Sequence, residues 1–377
     1  MVMPNSFHLQ CHITDRCNFT CRHCYMGTEK GDMRVDDFKV LISQYADLVR
    51  AWGLKKGDRP STLSIGGGEP FMNRNFFDFL DIVRENRSVF SSVGIMSNGS
   101  MISKGIASSL KDYGVSGVQV SLEGTENVND GIRGKGSFKK AFKGILNLLD
   151  AGIPTGVAVT ISRENHEDFP RLLALLEESG VKSVGVSRFV PIGRDGRIRM
   201  LTPLQTREFY GKIMALKKSR KKNGIRINTH CSDSIWFIED QAHVTHGCSA
   251  GFDSFSVLPD GNVVPCRRLP VVAGNFLKKS LFDIWYTSDF LWKLRNKGRI
   301  SACTSCELFE KCFGGARCVA NGYFKKTFAP DPQCWKLFDK LPEKTAYGHE
   351  VNGFFGCDNS LLRKFDRSKY FGKALNV

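Results

Sequence analysis

The strongest constraint on the fold is an alternation of short β-rich runs with amphipathic segments over the first 222 residues. The runs predict strands at 8–14, 62–65, 93–96, 117–122, 155–161 and 183–188. The segments between them carry apolar residues at helical spacing, at 36–52, 76–83, 102–113, 138–151 and 169–178. This alternation predicts an α/β fold with a parallel sheet covered by helices. The sheet is either curled into a partial (β/α)6 barrel or flat and doubly wound, and periodicity does not separate the two.

Candidate functional residues follow the carboxyl ends of the predicted strands. Three cysteines follow the first strand, and the glycine run SIGGGEP ends the second. Ser97 and Asn98 follow the third strand, and Ser121 and Glu123 lie at the end of the fourth. Because ligands of parallel α/β folds bind at the carboxyl edge of the sheet, these residues are predicted to form one site.

The three cysteines, Cys17, Cys21 and Cys24, have the spacing C-x3-C-x2-C in the stretch CNFTCRHCY. Three thiolates on one loop can hold three irons of a cubane iron–sulfur cluster, which leaves the fourth iron open to a small molecule. On spacing alone, a zinc knuckle is the alternative. The chain has 13 cysteines, an odd number, and no secretory signal, so a disulfide framework is not expected.

This cysteine loop resembles the signature of the radical S-adenosylmethionine (SAM) superfamily. In that family SAM binds the fourth iron, and an electron from the cluster cleaves SAM into methionine and a 5′-deoxyadenosyl radical. The radical then abstracts hydrogen from the substrate. The resemblance implies a 4Fe-4S cluster on Cys17, Cys21 and Cys24, with SAM as cofactor.

The glycine run resembles the GGEP motif of the same family, whose backbone and acid bind the SAM amino group. The residues that the resemblance places at SAM are Gly67, Gly68, Glu69, Ser97, Asn98, Ser121, Arg133 and His23. Ser121 is expected near the ribose, Arg133 near the SAM carboxylate, and the backbone of His23 near adenine. A tight turn, a helix cap or a surface contact is the alternative for these residues.

Seven further cysteines lie between positions 248 and 334, where glycines and prolines punctuate shorter strands. Cys303, Cys306 and Cys312 form a C-x2-C-x5-C run, which is spacing typical of metal ligands. A zinc ribbon is one alternative. Iron–sulfur clusters are favoured because seven thiols exceed one tetrahedral site.

This region resembles the SPASM domain, which binds two auxiliary 4Fe-4S clusters. The resemblance assigns the nearer cluster to Cys248, Cys266 and Cys318. It assigns the distal cluster to Cys303, Cys306, Cys312 and Cys334. Five residues separate Cys312 from Cys318, where the family commonly has three. The fourth ligand of the nearer cluster is either Cys231 or absent, and an absent ligand would leave an iron open to substrate.

These patterns divide the chain into a radical SAM partial barrel at 1–222, a bridging region at 223–247, a SPASM domain at 248–334 and a C-terminal tail at 335–377. Cys357, in the tail, is a candidate hydrogen donor of the kind an epimerase needs, with a packed or surface thiol as the alternative. Cys11, on the first strand, is expected to be a buried apolar residue.

The family resemblance favours a ribosomally made peptide as substrate, modified by crosslinking, thioether formation or epimerisation. The first cluster cysteine is residue 17, so a leader-binding domain is not expected before it. A separate leader-binding protein or the basic surface, at net charge +16, could serve instead. The alternatives are a small-molecule enzyme (a sugar epimerase or a tetrapyrrole-modifying enzyme) and anaerobic sulfatase maturation. The last is disfavoured because Arg267 stands where sulfatase maturases carry Asp.

The remaining expectations concern partners and location. A reductant such as flavodoxin or ferredoxin is expected to supply the electron. No nucleic-acid motif accompanies the basic charge, so a nucleic-acid partner is not expected. No apolar run approaches the roughly 20 residues that span a bilayer, so a cytoplasmic protein without a membrane partner is expected. A non-catalytic electron carrier or zinc scaffold is disfavoured by the glycine run and the barrel pattern.

Overall fold

The fold comes from a computed structural model that describes residues 4–26, 31–54, 60–193, 198–219, 224–229, 247–296 and 300–343. Cys231 and Cys357, for which a ligand role and a hydrogen-donor role are predicted, lie outside the described residues. The same holds for most of the 335–377 tail. Within the described residues, no helix is long and apolar enough to cross a bilayer.

Ten strands in the described part of the chain form one sheet. They are β1 (Phe7–His12), β2 (Ser61–Gly66), β3 (Ser92–Ser97), β4 (Gly117–Ser121), β5 (Thr155–Ile161), β6 (Ser183–Arg188), β7 (Arg226–Thr229), β8 (Ser254–Val257), β9 (Asn262–Val264) and β10 (Gly274–Asn275). All six predicted strands are present, and β5 and β6 have the predicted bounds. β7 falls inside the segment predicted to bridge two domains, and the predicted domain division stays a prediction.

Helices follow most strands in sequence. They are α1 (Val35–Ala51), α2 (Phe76–Glu85), α3 (Lys104–Asp112), α4 (Glu126–Arg133), α5 (Ser137–Asp150), α6 (Phe169–Glu178), α7 (Pro203–Ser219), α8 (Leu281–Thr287), α9 (Asp289–Arg295), α10 (Phe309–Cys312) and α11 (Arg317–Phe324). Short 3-10 turns occur at Pro70–Met72, Arg87–Val89 and Ser301–Cys303. Helix α4 was not predicted, because its eight residues carry only two large apolar side chains, Val128 and Ile132.

The strand order decides between the two predicted architectures. It runs β10-β9-β8-β1-β2-β3-β4-β5-β6-β7, with all pairs parallel from β8 through β7. Strands β8, β9 and β10 pair antiparallel at one edge. A doubly wound sheet reverses its order at a switch point, whereas β1 to β7 follow one another without reversal. The α/β fold with a partial barrel is therefore confirmed.

The two faces of the sheet differ in chemistry. In β1, Phe7, Leu9 and Cys11 are buried in the apolar core under the helices, which confirms the predicted burial of Cys11. The alternate residues of the same strand, His8, Gln10 and His12, face the interior of the curled sheet. Polar and small side chains on this inner face leave space for a cavity, which an all-apolar barrel core would fill.

The C-terminal region is joined to the barrel through its first strand and first helices. β8 pairs with β1 in parallel, so Ser254 lies beside His8. The Phe7 ring lies 4.8 Å from Trp52 and 5.0 Å from Trp285, measured between centroids, within one aromatic cluster. The cysteine-rich segment is therefore fixed against the strand that leads into the cysteine loop.

A buried ion pair makes a second connection between the two regions. Arg188, at the end of β6, donates to both carboxylate oxygens of Asp331 at 3.1 and 2.8 Å. Both side chains are almost fully buried. Breaking one partner of such a pair leaves an uncompensated charge, so this contact holds the C-terminal region to the end of the barrel.

Candidate active site and cluster sites

A cavity of about 1220 Å³ extends through the curled sheet. The predicted site residues that line it are Cys17, Cys21, His23, Cys24, Gly67, Gly68, Ser97, Asn98, Ser121, Arg133 and Cys266. These residues come from loops after β1, β2, β3 and β4 and from the C-terminal region. The structure thus brings the three-cysteine loop, the glycine run and one auxiliary-cluster cysteine to one cavity, at the carboxyl edge that the strand order predicts.

The glycine run holds the cysteine loop by close backbone packing. A Cβ at Gly67 would lie 2.5 Å from the carbonyl oxygen of Thr14, and one at Gly68 would lie 2.7 Å from that of Asp15. The contact allows two backbone hydrogen bonds of 2.8 Å, from Gly68 N–H to Thr14 and from Glu69 N–H to Arg16. Glycine is needed here because no side chain fits between the two loops.

Glu69 lies behind the cavity wall and is fully buried. Its carboxylate accepts hydrogen bonds from Ser97 Oγ at 2.8 Å and from the Asn98 backbone N–H at 2.7 Å. Burial raises the pKa of Glu69 to about 7, although these hydrogen bonds oppose the shift. Asn98 in turn directs its Nδ2 at Cys17 Sγ, 3.7 Å away. In this structure Glu69 positions the loop after β3 beside the cysteines, and its predicted contact with SAM stays a prediction.

Arg133 and His23 meet at a buried carboxylate. Arg133 Nε donates to Glu123 Oε1 at 3.0 Å, and His23 Nε2 lies 3.2 Å from the same oxygen. Burial alone would raise the pKa of Glu123, but Arg133, His23 and their hydrogen bonds hold it below its ordinary value. The sequence placed Glu123 at the end of a strand without assigning it a role. The structure makes it the group that orients Arg133.

The positive charge of Arg133 reaches the cysteine loop. Arg133 Nη1 lies 3.9 Å from Cys21 Sγ, and Arg22 N–H donates to the backbone of the same helix at Ile132. Burial raises the pKa of Cys21 to about 11; Arg133 lowers it, whereas Cys24 and Cys17 raise it. The mutual influence of the three thiols indicates that they share one site, and Arg133 supplies a cation beside it.

Four cysteines of the C-terminal region line a second, small cavity of about 30 Å³. They are the residues predicted to hold the distal cluster, Cys303, Cys306, Cys312 and Cys334. Burial raises the pKa of Cys303 to about 11 and that of Cys312 to about 12, and neighbouring thiols add to both shifts. Thiols with such raised pKa values ionise when a metal takes the place of the proton, so this closed four-thiol site fits a resident cluster.

Two of the predicted ligands of the nearer cluster are neighbours. Burial raises the pKa of Cys318 to about 11, Arg268 opposes the shift, and Cys266 adds to it, so Cys266 and Cys318 lie close together. Cys248 acts on Arg317, the residue directly before Cys318, and a Cβ on the preceding Gly247 would lie 2.7 Å from the Cys312 carbonyl. The assignment of Cys248 to the nearer cluster stays a prediction.

Arg317 is a functional candidate that the sequence did not suggest. It is 5% exposed and donates through Nη1 to the carbonyls of Thr327 and Ala329 at 2.9 and 2.8 Å. Burial lowers its pKa, and Cys248, Cys303 and Cys312 oppose that shift. A buried guanidinium among thiols stabilises the negative charge that cluster thiolates carry. The only sequence signal is its position directly before Cys318.

The thiols of the described residues form two groups. Three thiols face the large cavity from one loop, and four line the small one. An open three-thiol site and a closed four-thiol site are the ligand sets of a catalytic and an auxiliary 4Fe-4S cluster.

Fold and site together define an iron–sulfur enzyme built on a partial barrel. Residues 11–176 match the family model of the radical SAM superfamily. Residues 248–307 match that of SPASM, an iron–sulfur cluster-binding domain. The chain is a radical SAM enzyme with a C-terminal SPASM domain, and these domains imply one SAM-binding 4Fe-4S cluster and auxiliary clusters.

The proteins similar to this chain include a synthase and a maturase. A Fe-coproporphyrin III synthase of Methanosarcina barkeri is 25% identical over 365 residues, which cover 88% of each chain. The mycofactocin maturase MftC of Mycolicibacterium smegmatis is 28% identical over 340 residues, which cover 85% of this chain and 81% of that one. The crystal structure of Streptococcus suis SuiB bound to S-adenosylmethionine has a TM-score of 0.71 at 18% identity and covers 89% of this chain and 78% of SuiB. The last likeness concerns the fold.

Proposed function

We propose that this enzyme matures a ribosomally made peptide by abstracting hydrogen from it. The observation that carries the proposal is the shared cavity, because Cys17, Cys21 and Cys24 line it together with Cys266. When bound, the SAM-binding cluster and SAM supply the 5′-deoxyadenosyl radical, and the auxiliary clusters can accept an electron. A substrate in this cavity would lie between the SAM-binding cluster and the auxiliary clusters. This position suits net oxidations such as crosslinking or thioether formation.

The residues of the chain hold and orient these groups. Gly68 packs the cysteine loop onto the sheet, and Glu69 fixes Asn98 beside Cys17. Glu123 orients Arg133, whose guanidinium lies 3.9 Å from Cys21 Sγ. A guanidinium pairs with carboxylates, so this position supports the predicted role of Arg133 at the SAM carboxylate.

The similarity to a mycofactocin maturase supports the peptide substrate. A tetrapyrrole is the second candidate, because a Fe-coproporphyrin III synthase is similar over 88% of the chain and the cavity of about 1220 Å³ is roomy enough for a macrocycle. A sugar epimerase has no specific support. Sulfatase maturation stays disfavoured, since Arg267 faces the cavity and a guanidinium does not act as a base.

Partners and location follow from the same chemistry. We infer a flavodoxin or ferredoxin as reductant, because an iron–sulfur enzyme needs a one-electron donor. A separate leader-binding protein is inferred for the peptide reaction, and the cytoplasm is inferred as the compartment, where thiols stay reduced.

The proposal is tested with anaerobically reconstituted enzyme, SAM and dithionite. One arm receives a peptide encoded by a small open reading frame beside the gene, and the other receives Fe-coproporphyrin III. Mass spectrometry of the substrates is expected to show a mass change in the peptide that disappears when Cys17, Cys21 and Cys24 are replaced by Ala. Modification of the porphyrin with an unchanged peptide would overturn the peptide proposal in favour of the second candidate.

A further inference from the structure

His12 is a buried imidazole that no protein group satisfies. It is the last residue of β1, lines the large cavity and is 3% exposed. Neither ring nitrogen completes a hydrogen bond within the protein, although the Gly67 backbone is near enough to favour its protonated form slightly. A buried polar group without a partner is destabilising, so its presence at a cavity wall points to a partner that enters the cavity.

The surroundings of His12 keep the imidazole neutral. Burial lowers the pKa of His12 to about 3, and the nearby charge of Arg267 lowers it as well. On the other side β2 places Gly66 opposite His12 in the sheet, and the Met96 side chain fills the space that a Cβ at Gly66 would take. A neutral imidazole keeps one N–H donor and one acceptor.

Arg267 brings a buried positive charge to the same part of the cavity. Its side chain is 9% exposed, and Nη2 lies 3.4 Å from Asp15 Oδ1. Its Nε–H points at Met26 Sδ at 3.1 Å, and a thioether is a weak acceptor. Within the described residues, the carboxylate contact of Arg267 is thus this long one with Asp15.

The charged side chains that line the cavity are mostly positive. Its described residues include six Arg or Lys side chains and one acidic side chain, Asp15. Two of the cations already face carboxylates elsewhere, since Arg133 pairs with Glu123 and Arg188 with Asp331. Arg267 and Arg268 directly follow Cys266 and line the cavity where a substrate would approach the auxiliary cluster. An anionic group is the ligand that such a wall favours.

We propose that His12 and Arg267 form a subsite that binds a carboxylate of the substrate. Arg267 supplies the charge and a guanidinium donor, and the His12 N–H supplies a second donor. The inference rests on the proposed function and extends it to either candidate substrate. The carboxylate can be an acidic side chain or C-terminus of a peptide, or a propionate of a tetrapyrrole.

Binding to the reconstituted holoenzyme with SAM and without reductant tests the subsite. Two probe pairs are used: Fe-coproporphyrin III with its tetramethyl ester, and a hexapeptide library rich in Asp and Glu with the matching Asn and Gln library bearing C-terminal amides. In one of the two pairs, the wild type is expected to bind the acidic probe at least tenfold more tightly than its neutral form. That pair identifies the source of the carboxylate as a peptide or a tetrapyrrole. His12→Phe and Arg267→Met should reduce this preference to about twofold, and His12→Gln, which keeps a donor, should restore part of it.

Three results overturn the proposal. The first is equal retention of acids and neutral forms, or no retention of either acid, by the wild type. The second is a loss of SAM affinity in His12→Phe as large as the loss of acid preference, since the subsite would then belong to SAM. The third is an unchanged acid preference in both variants. His166→Phe is the matched control, because His166 is partly buried and lies outside the cavity lining.

A stability measurement without any ligand checks the premise. Because the His12 ring nitrogens lack partners, His12→Phe should raise the urea midpoint of unfolding or leave it unchanged. A lowered midpoint would mean that the imidazole is satisfied within the protein, and the subsite would be rejected. Neither readout needs SAM cleavage, so failure here is separable from failure of the proposed radical reaction.

Discussion

Replacement of Gly68 by Ala should release the cysteine loop from the sheet. The new Cβ would lie 2.7 Å from the Asp15 carbonyl oxygen and 2.7 Å from the Arg16 carbonyl carbon. Both contacts are with backbone, which cannot rotate away, so the two loops must separate. Separation breaks the 2.8 Å hydrogen bonds from Gly68 to Thr14 and from Glu69 to Arg16.

The size of the effect follows from these contacts. Two hydrogen bonds are worth about 1 kcal/mol each. Overpacking adds about 1–3 kcal/mol. The sum, roughly 3–5 kcal/mol, corresponds to an increase of about 10² to 10⁴ in the population of the detached loop. The SAM-binding cluster, about 4 of about 12 irons in a fully loaded chain, should therefore become labile while the auxiliary clusters persist.

The assay is the rate of iron release to a chelator from anaerobically reconstituted protein. Gly68→Ala should show one fast phase of about one third of the iron, taken from the three-cluster content. Gly211→Ala is the control, because Gly211 is exposed in α7 with open space around its Cα, and Ala there should stabilise the helix by about 0.5–1 kcal/mol. If Gly68→Ala released its iron at the wild-type rate, the idea that close packing of these loops holds the cluster would be refuted.

Three further predictions follow from the site. Replacing Cys303 and Cys306 by Ala should remove about 4 irons yet leave substrate-free SAM cleavage intact, as measured by iron assay and mass spectrometry; full iron content would exclude them as ligands. Arg317→Met should lower an auxiliary-cluster potential by roughly tens of millivolts because one nearby positive charge is lost, whereas Arg317→Lys should lower it less, in an EPR-monitored redox titration. Burial holds the folded-state pKa of His12 at about 3, below its unfolded value of about 6.5, so the unfolded chain takes up a proton first and the fold loses stability as pH falls through about 6.5. Between about pH 7.5 and pH 5.5 the wild type should lose about 1.3 kcal/mol more unfolding free energy than His12→Phe, in urea titrations; equal losses would contradict the neutral imidazole.

Sequence patterns predict the parts of this fold that depend on local periodicity. Strands such as β5 and β6 are found with their predicted bounds because β-branched residues are concentrated in these runs. The cysteine loop and the distal cysteines are also recognisable, since ligand spacing is a local property. The pairing of β8 with β1 is not, because it joins residues about 246 positions apart. Only the folded structure shows that the edge of β1 is open to β8.

The site is less predictable because several residues act through contacts that spacing does not encode. The hydrogen bonds from Ser97 and Asn98 to the Glu69 carboxylate join two separate loops and have no signature in the spacing, and the predicted contact of Glu69 with SAM stays a prediction. Arg317 gave no signal beyond its place before Cys318. The polar alternation of His8, Gln10 and His12 was present in the sequence, but a strand with one polar face usually meets solvent. Only the curvature of the sheet turns that face into a cavity wall.

The most direct test of the central claim is release of 5′-deoxyadenosine from anaerobically reconstituted protein given SAM and dithionite, followed by mass spectrometry. Release that disappears when Cys17, Cys21 and Cys24 are replaced by Ala, with the auxiliary iron retained, is the expected result. Release that persists in the triple variant, or a wild type that binds zinc and takes up no iron, would contradict a radical SAM site on these three cysteines.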